Sequence, residues 1–242
     1  MTSIEKQKIA NFLDLTQDFY SSGYKSKKRE YHFEDDAPSA QSSVNNIDSG
    51  GESIEKIAAE IRACYNCSLG KTRTNAAPGE GVLQPLVLVI GEGPGADEDA
   101  QGRPFVGKAG QLLDKMLDAI KLSRNSNCFI ANVVKCRPPN NRDPYPEETA
   151  ACARFLERQI TLLKPKFILI VGKVAMQALL KTTEAIGKKR GKMTEFTVGD
   201  TTYPLLITYH PAAILRNEEL KRPAWEDLKL LRSKLDELEG GN

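Results

Sequence analysis

Leu86-Val87-Leu88-Val89-Ile90, followed at once by Gly91-Glu92-Gly93-Pro94-Gly95-Ala96, decides how this chain is read. Five consecutive apolar residues closed by a glycine-rich turn describe a strand buried on both faces. The pattern recurs at Cys128–Val134, Phe167–Val171 and Leu205–Thr208. Helical periodicity lies between these runs. Gly107–Ile120 puts Leu112, Leu113, Met116, Leu117 and Ile120 on one face. Pro146–Leu163 starts with a proline in its first turn, where no N–H is needed. Lys173–Leu180 and a terminal Ala224–Leu238 complete the set. Apolar strands separated by helices predict an α/β fold with a parallel sheet covered on both faces. In such a sheet the site lies at the carboxyl ends of the strands. The unusual loops fall there: Gly91–Phe105, Lys135–Pro144 and Tyr209–Asn217.

The rest of the 242 residues is consistent with one large domain or two small ones. Residues 3–20 have the pattern of an amphipathic helix, and a basic run follows at Lys25, Lys27, Lys28 and Arg29. His32–Glu52 is Ser-, Asn-, Asp- and Gly-rich and reads as linker. This makes 1–52 an extension and 53–242 the folded domain. A net charge of only +2 means that any site for a polyanion must come from local clusters of Lys and Arg. No apolar run is long enough to span a bilayer, and no secretory signal is evident, so the expected location is the cytoplasm. In that reducing compartment five cysteines point to metal binding or burial rather than disulfides.

Gly91–Ala96 matches the GxGxxA dinucleotide fingerprint. The match is read as a decoy, because Pro94 and then Asp97, Glu98 and Asp99 follow, and the helix is expected to wait until about Gly107. Glycines there let backbone N–H groups approach a flat neutral ligand, with Phe105 available to stack on it. Cys64 and Cys67 form a C-x2-C pair. Cys136 follows the second strand, and Cys152 comes after it with fifteen residues between them. Four such thiolates suit one metal centre, and spacing does not separate zinc from a [4Fe–4S] cluster. Cys128, inside a strand, reads as core. His210 directly follows the fourth strand and can donate to a developing anion or act as an acid. Asn132, near the end of the second strand, offers a donor and an acceptor side by side. Basic residues gather at Lys188, Lys189, Arg190 and Lys192, at Lys135, Arg137 and Arg142, and at Arg216. Such loops can position a phosphate backbone.

Taken together, GEGPGADED, GRPFVGKAGQLL, ANVVKCRPPNNRDP and YHPAAILRN, with the C-x2-C upstream, resemble the iron–sulfur uracil-DNA glycosylases called family 4. The resemblance covers about 54–238. It implies a three-layer α/β/α sandwich around a four-stranded parallel sheet. It implies a [4Fe–4S] cluster on Cys64, Cys67, Cys136 and Cys152, and release of uracil from single- or double-stranded DNA by a monomer. Phe105 becomes the ring stacking on uracil, Asn132 the reader of its edge, and His210 the group stabilising the departing anion. Glu92 and Gly93 would line the pocket, and Glu98 would shape it or hold the water. Leu215 and Arg216 would enter the duplex, with Lys188 and Arg190 on its phosphates. Gly93 stands where other branches carry a water-activating Asp, so the base is unassigned. The segment after Asn132 lacks the His of a covalent branch. The rival readings are a glycosylase for other deaminated bases and a non-catalytic, metal-containing DNA-binding module. The extension is a candidate tether for a protein partner.

Overall fold

The structure is a computed structural model that describes residues 51–240. The expected helix over 3–20, the basic run after it and nearly all of the expected linker lie outside the described residues. Glu52, at the expected domain edge, is ion-paired with Arg158.

The chain enters through helix α1 (Ile54–Arg62), whose N-cap Ser53 accepts the Lys56 N–H at 3.2 Å. After α2 (Leu69–Thr72) and the short strand β1 (Glu80–Gly81) comes β2 (Val87–Gly91). Helices α3 (Ala96–Gln101) and α4 (Lys108–Asp118) lead to β3 (Cys128–Asn132). Then follow α5 (Pro146–Leu163), β4 (Phe167–Val171), α6 (Lys173–Leu180) and α7 (Ile186–Lys189). A hairpin of β5 (Thr194–Val198) and β6 (Thr201–Thr208) precedes α8 (Pro211–Arg216) and the long α9 (Lys221–Gly240).

The strands form one six-stranded sheet in the order β1-β3-β2-β4-β6-β5. The inner four are mutually parallel, as expected. Two antiparallel strands extend the sheet at its edges, β1 against β3 and β5 against β6. Neither edge carries an apolar run. β1 has two residues, and β5 keeps none of its side chains fully buried. Side-chain alternation along the inner strands divides the core in two. Leu88, Ile90, Ile168 and Ile170 pack against α1, α5 and α6. Val87, Val89, Leu169 and Val171 pack against α4 and α9 on the opposite face. The result is three layers with the strand ends free to carry loops. Among the described residues no helix is long and apolar enough to cross a membrane.

One expectation is corrected. The helix after the glycine turn does not wait for Gly107, since α3 starts at Ala96. Acidic residues in a first turn favour a helix, because its N-terminal N–H groups carry partial positive charge. Glu98 and Asp99 then spend their carboxylates on local backbone, as described below.

Leu169 is wholly buried between β2 and β6 on the α4/α9 side. Leu169→Ala should cost about 2–5 kcal/mol, seen as an earlier denaturation midpoint with an unchanged slope.

Candidate functional site

All four inner strands deliver their carboxyl ends to one cleft of about 600 Å³. Glu92, Gly93 and Glu98 line it from the loop after β2, and Arg142 and Asp143 from the loop after β3. Lys173 comes from the end of β4, and His210 and Arg216 from the segment after β6. Phe105 forms part of the wall.

At the floor, the Phe105 ring lies on Gly91. A Cβ at position 91 would stand 2.4 Å from the ring and 2.5 Å from the Asn132 side-chain oxygen. Only glycine lets the ring and the amide approach the strand end this closely. Asn132 is buried, and its Oδ1 has no hydrogen-bond partner. Buried acceptors are normally satisfied, so an orphan beside an aromatic face marks a place for a donor that arrives with a ligand. His210 is on the same side, its ring centroid 5.6 Å from that of Phe105 with the planes tilted by 32°.

The protonation of His210 follows from its contacts. Its Nδ1 accepts the Ala212 N–H at 3.1 Å, capping α8. A ring accepting at Nδ1 carries its proton on Nε2 when neutral. Burial, reinforced by the Arg216 charge and opposed by Glu98, pushes the imidazole down to about 4. At neutral pH it is therefore an uncharged donor and not an acid. Glu92 moves the other way. Burial first, then the neighbouring Asp143, push its carboxyl up to about 7 against the pull of Arg216.

Glu98 is committed to backbone. Its Oε2 accepts the Gly95 N–H at 3.0 Å, and Oε1 accepts the N–H groups of Val106 at 2.8 Å and Gly107 at 2.9 Å. Asp99 likewise accepts from Thr74 at 2.9 Å and Asn75 at 3.3 Å. The glycine turn is thus closed on itself, with its Gly95 amide occupied by Glu98.

Phe105 has φ = 53°, a left-handed backbone that residues with side chains seldom adopt. It is held there by a residue that inspection of the sequence passed over. Arg124, nearly buried, donates to the Pro104 carbonyl at 2.9 Å and the Phe105 carbonyl at 2.8 Å. A lone arginine among Ser and Asn gives no sequence signal for this. The basic run resolves unevenly. Lys188 is exposed, whereas Arg190 turns inward to the buried Asp227 and stacks on Tyr209, 5.2 Å from its ring centroid. Asp227 also accepts from Thr208 at 2.7 Å. Arg190 is thus spent on holding the end of β6 rather than offered to a phosphate. Leu215, 50% exposed, and Arg216 lie at the open end of α8.

Behind the cleft, Cys64, Cys67, Cys136 and Cys152 line one small enclosed space together with Lys135 and Phe155. Among the described residues no three potential ligands converge as they would around a single ion. Two cations attend these thiols. Arg73 Nη1 is 2.8 Å from Cys136 Sγ. Lys135, 1% exposed, donates to the Asn132 carbonyl at 2.9 Å and to Gln159 Oε1 at 2.7 Å. Cys128 is core, as expected.

With this geometry in view, comparison with known proteins is decisive: the family described as "Uracil DNA glycosylase superfamily" matches residues 78–229. The chain belongs to that superfamily. Within it, the chain is similar to proteins named type-4 uracil-DNA glycosylase. That of Pyrobaculum aerophilum is 44% identical over 181 residues, covering 73% of this chain and 92% of its own. Those of Sulfurisphaera tokodaii (42% over 185 residues, 75% and 84%) and Thermotoga maritima (41% over 185 residues, 75% and 94%) are comparable. This superfamily member carries Phe105 and His210 in the wall of one cleft, with Asn132 against the same Gly91 as Phe105, and lines a second, smaller space with its four cysteines.

Gly110 of α4 lies against Phe105, where a Cβ would come within 2.0 Å of the Phe105 carbonyl. Helix propensity alone would make Gly110→Ala stabilising by about 1 kcal/mol. The contact reverses that sign, so the variant should melt below the wild type and bind ligand in the cleft more weakly.

Proposed function

We propose that the chain is a uracil-DNA glycosylase of base excision repair, cleaving the N-glycosidic bond of deoxyuridine to leave an abasic site. The observation that carries this reading is the orphan Asn132 oxygen close to the Phe105 ring, with the neutral His210 imidazole 5.6 Å from that ring. Uracil offers an N3–H to that oxygen. Cytosine offers a bare ring nitrogen, and leaving the buried acceptor unpaired costs about 1–3 kcal/mol.

The base must leave the stack to reach the floor of the cleft. Leu215 or Arg216, both exposed on α8, would fill the space it vacates. Lys188 is available to the phosphates, and Arg190 is withdrawn from that role. As the C–N bond breaks, the sugar gains oxocarbenium character and negative charge moves onto uracil O2. The Nε2–H of His210 donates to that oxygen without itself bearing charge. A donor aimed at charge that develops in the transition state is worth about 2.7–4 kcal/mol. Glu98 braces the turn beneath the ring. Glu92, held near neutral pH, is the carboxyl whose affinity for a proton suits activation of water.

The enclosed thiols fit a [4Fe–4S] cluster. Lys135 is a buried ammonium without a carboxylate partner among the described residues, and such a charge is costly unless an anion faces it. The thiols of Cys136 and Cys152 are the groups at hand, with Arg73 supplying a second cation. Four cysteines lining one small space match the ligand count of a [4Fe–4S] cluster. When bound, that unit would cross-link the segment between α1 and α2, the loop after β3 and α5 without taking part in hydrolysis. A chain with reduced cysteines of this kind belongs in the cytoplasm.

Incubation with uracil-containing single- and double-stranded oligonucleotides followed by alkali tests the reading. Strand cleavage at uracil supports it, and intact strands from protein with full iron content would refute it. His210→Ala should lower kcat about 10²–10³-fold while remaining folded. The acid limb of kcat/KM should lie near pH 7, where Glu92 ionises, and activity should rise as that proton leaves. Glu92→Gln should flatten the limb, and a limb that survives the substitution belongs to another group.

A further inference from the structure

We propose that Arg124 is a positioning residue for the stacking ring. It acts as one jaw of a clamp that forces Phe105 into its left-handed backbone and so builds the pyrimidine pocket before any ligand arrives. The inference rests on the proposed reading of the cleft for its ligand, but not for its geometry.

Arg124 follows α4 and precedes β3, remote from the cleft in sequence logic, yet it is only 8% exposed. Its Nη1 and Nη2 hold the two successive carbonyls of Pro104 and Phe105 at 2.9 and 2.8 Å. Its Nε and Nη2 reach the single oxygen Asp114 Oδ1 at 3.0 and 2.8 Å. The Asp114 side chain is about half exposed, so the ion pair could form equally well with the arginine at the surface. Glu80 Oε1 also lies 3.8 Å from Nη1, and the pair of carbonyls fixes the guanidinium between the two acids. A planar fork with five N–H groups can serve two carbonyls and a carboxylate together, and the compact ammonium of lysine cannot.

The opposing jaw is Glu98, which accepts the next two N–H groups of the chain, those of Val106 and Gly107. The peptide that follows Phe105 is thus gripped on its oxygen side by a cation and on its nitrogen side by an anion. Gly110 provides the floor, where no side chain fits. Residues with side chains enter positive φ only where the surroundings over-determine them, and such positions cluster at functional sites. Here the φ of 53° directs the ring over Gly91 and alongside the Asn132 oxygen. Released from the clamp, Phe105 would relax to an ordinary backbone and its ring would leave the floor.

The test compares wild type with Arg124→Met and Arg124→Lys. Lysine keeps the charge and the reach to Asp114 but can satisfy only one carbonyl, so it guards against a variant that simply fails to fold. Three quantities are read: inhibition by free uracil, kcat, and affinity for abasic-site DNA. Both variants should lose about 10–100-fold in kcat and at least about 10-fold in uracil inhibition, as expected of a displaced contact. Their affinity for abasic-site DNA should stay within about twofold of wild type, because that complex does not use the ring. Equal losses in DNA and uracil affinity would reduce Arg124 to a general structural role. Wild-type uracil inhibition and kcat in Arg124→Lys would overturn the proposal.

Aromatic resonances of ¹³C-phenylalanine protein give a readout without substrate. Phe105 should show one sharp set shifted by the His210 ring in wild type, and a broadened or displaced set in both variants. Unmoved resonances would refute the clamp even if the wild-type protein proved not to release uracil. An inactive wild type with moved resonances would refute only the assigned reaction.

Discussion

The ammonium of Lys135 donates to the Asn132 carbonyl inside a wall that provides no carboxylate among the described residues. This charge sits between two features. On one side lies the end of β3 at Asn132. On the other lie Cys136 and Cys152. An unbalanced cation at such depth destabilises the folded state by several kcal/mol unless negative charge comes close. Burial pulls the Lys135 ammonium down to about 8, opposed by negative charge on Cys152 and Cys136. The Lys135 contact also links the cysteine-lined space to the end of β3, because Cys136 follows Lys135 directly.

The cleft bears its costs before it binds anything. An acceptor is left orphaned at Asn132, a phenylalanine is held at positive φ, and a histidine is stripped of solvent. Each is unfavourable in the empty protein, and the rigid sheet carries all three. Parallel strands buried on both faces offer that rigidity, and their carboxyl ends converge on one edge. The Arg190–Asp227–Thr208 contacts pin the last of these ends just before His210, and Glu98 closes the turn after the first. Catalytic precision here is a property of the braces as much as of the side chains that touch substrate.

How much of this the sequence disclosed depends on how local each signal was. The four inner strands were legible because burial on both faces leaves an uninterrupted apolar run, as in Phe167–Val171. The edge strands were not, since β1 is two residues long and β5 alternates toward solvent. The start of α3 was hidden by Pro94 and Gly95, and by acidic residues that read as a solvated tail but are first-turn carboxylates turned onto backbone. The cysteine pair stood out by its C-x2-C spacing, Phe105 by its glycine-flanked loop, and Asn132 and His210 by position at strand ends, and Phe105 lies near both His210 and the Gly91 that Asn132 abuts. Arg190 misled, because its run looks like a basic surface and the acid that captures it is 37 residues away in sequence. Arg124 was silent for the same reason in reverse. Its partners are carbonyl oxygens, which every residue possesses and no sequence advertises.

The two titratable groups of the cleft show how one environment assigns opposite tasks. Burial disfavours whichever form is charged. For His210 that form is the protonated one, so its pKa falls to about 4, and for Glu92 it is the deprotonated one, so its pKa rises to about 7. Between those values both groups are neutral, and the cleft suits an uncharged base entering from DNA. Above pH 7 Glu92 becomes an anion while His210 is unchanged, so a proton acceptor appears without cancelling the donor. The same shifts act on stability with a definite sign. Below pH 6.5 the unfolded chain takes up a proton at His210 that the folded chain refuses until about 4. The stability at stake is therefore complete above 6.5 and drains away as the pH falls toward 4. Glu92 works in the reverse direction, since its raised pKa favours the folded chain at low pH and opposes it as the pH climbs from about 4.5 through 7. Both opposing slopes follow from hiding these groups from water, which is also what makes a neutral imidazole an effective donor to a departing anion.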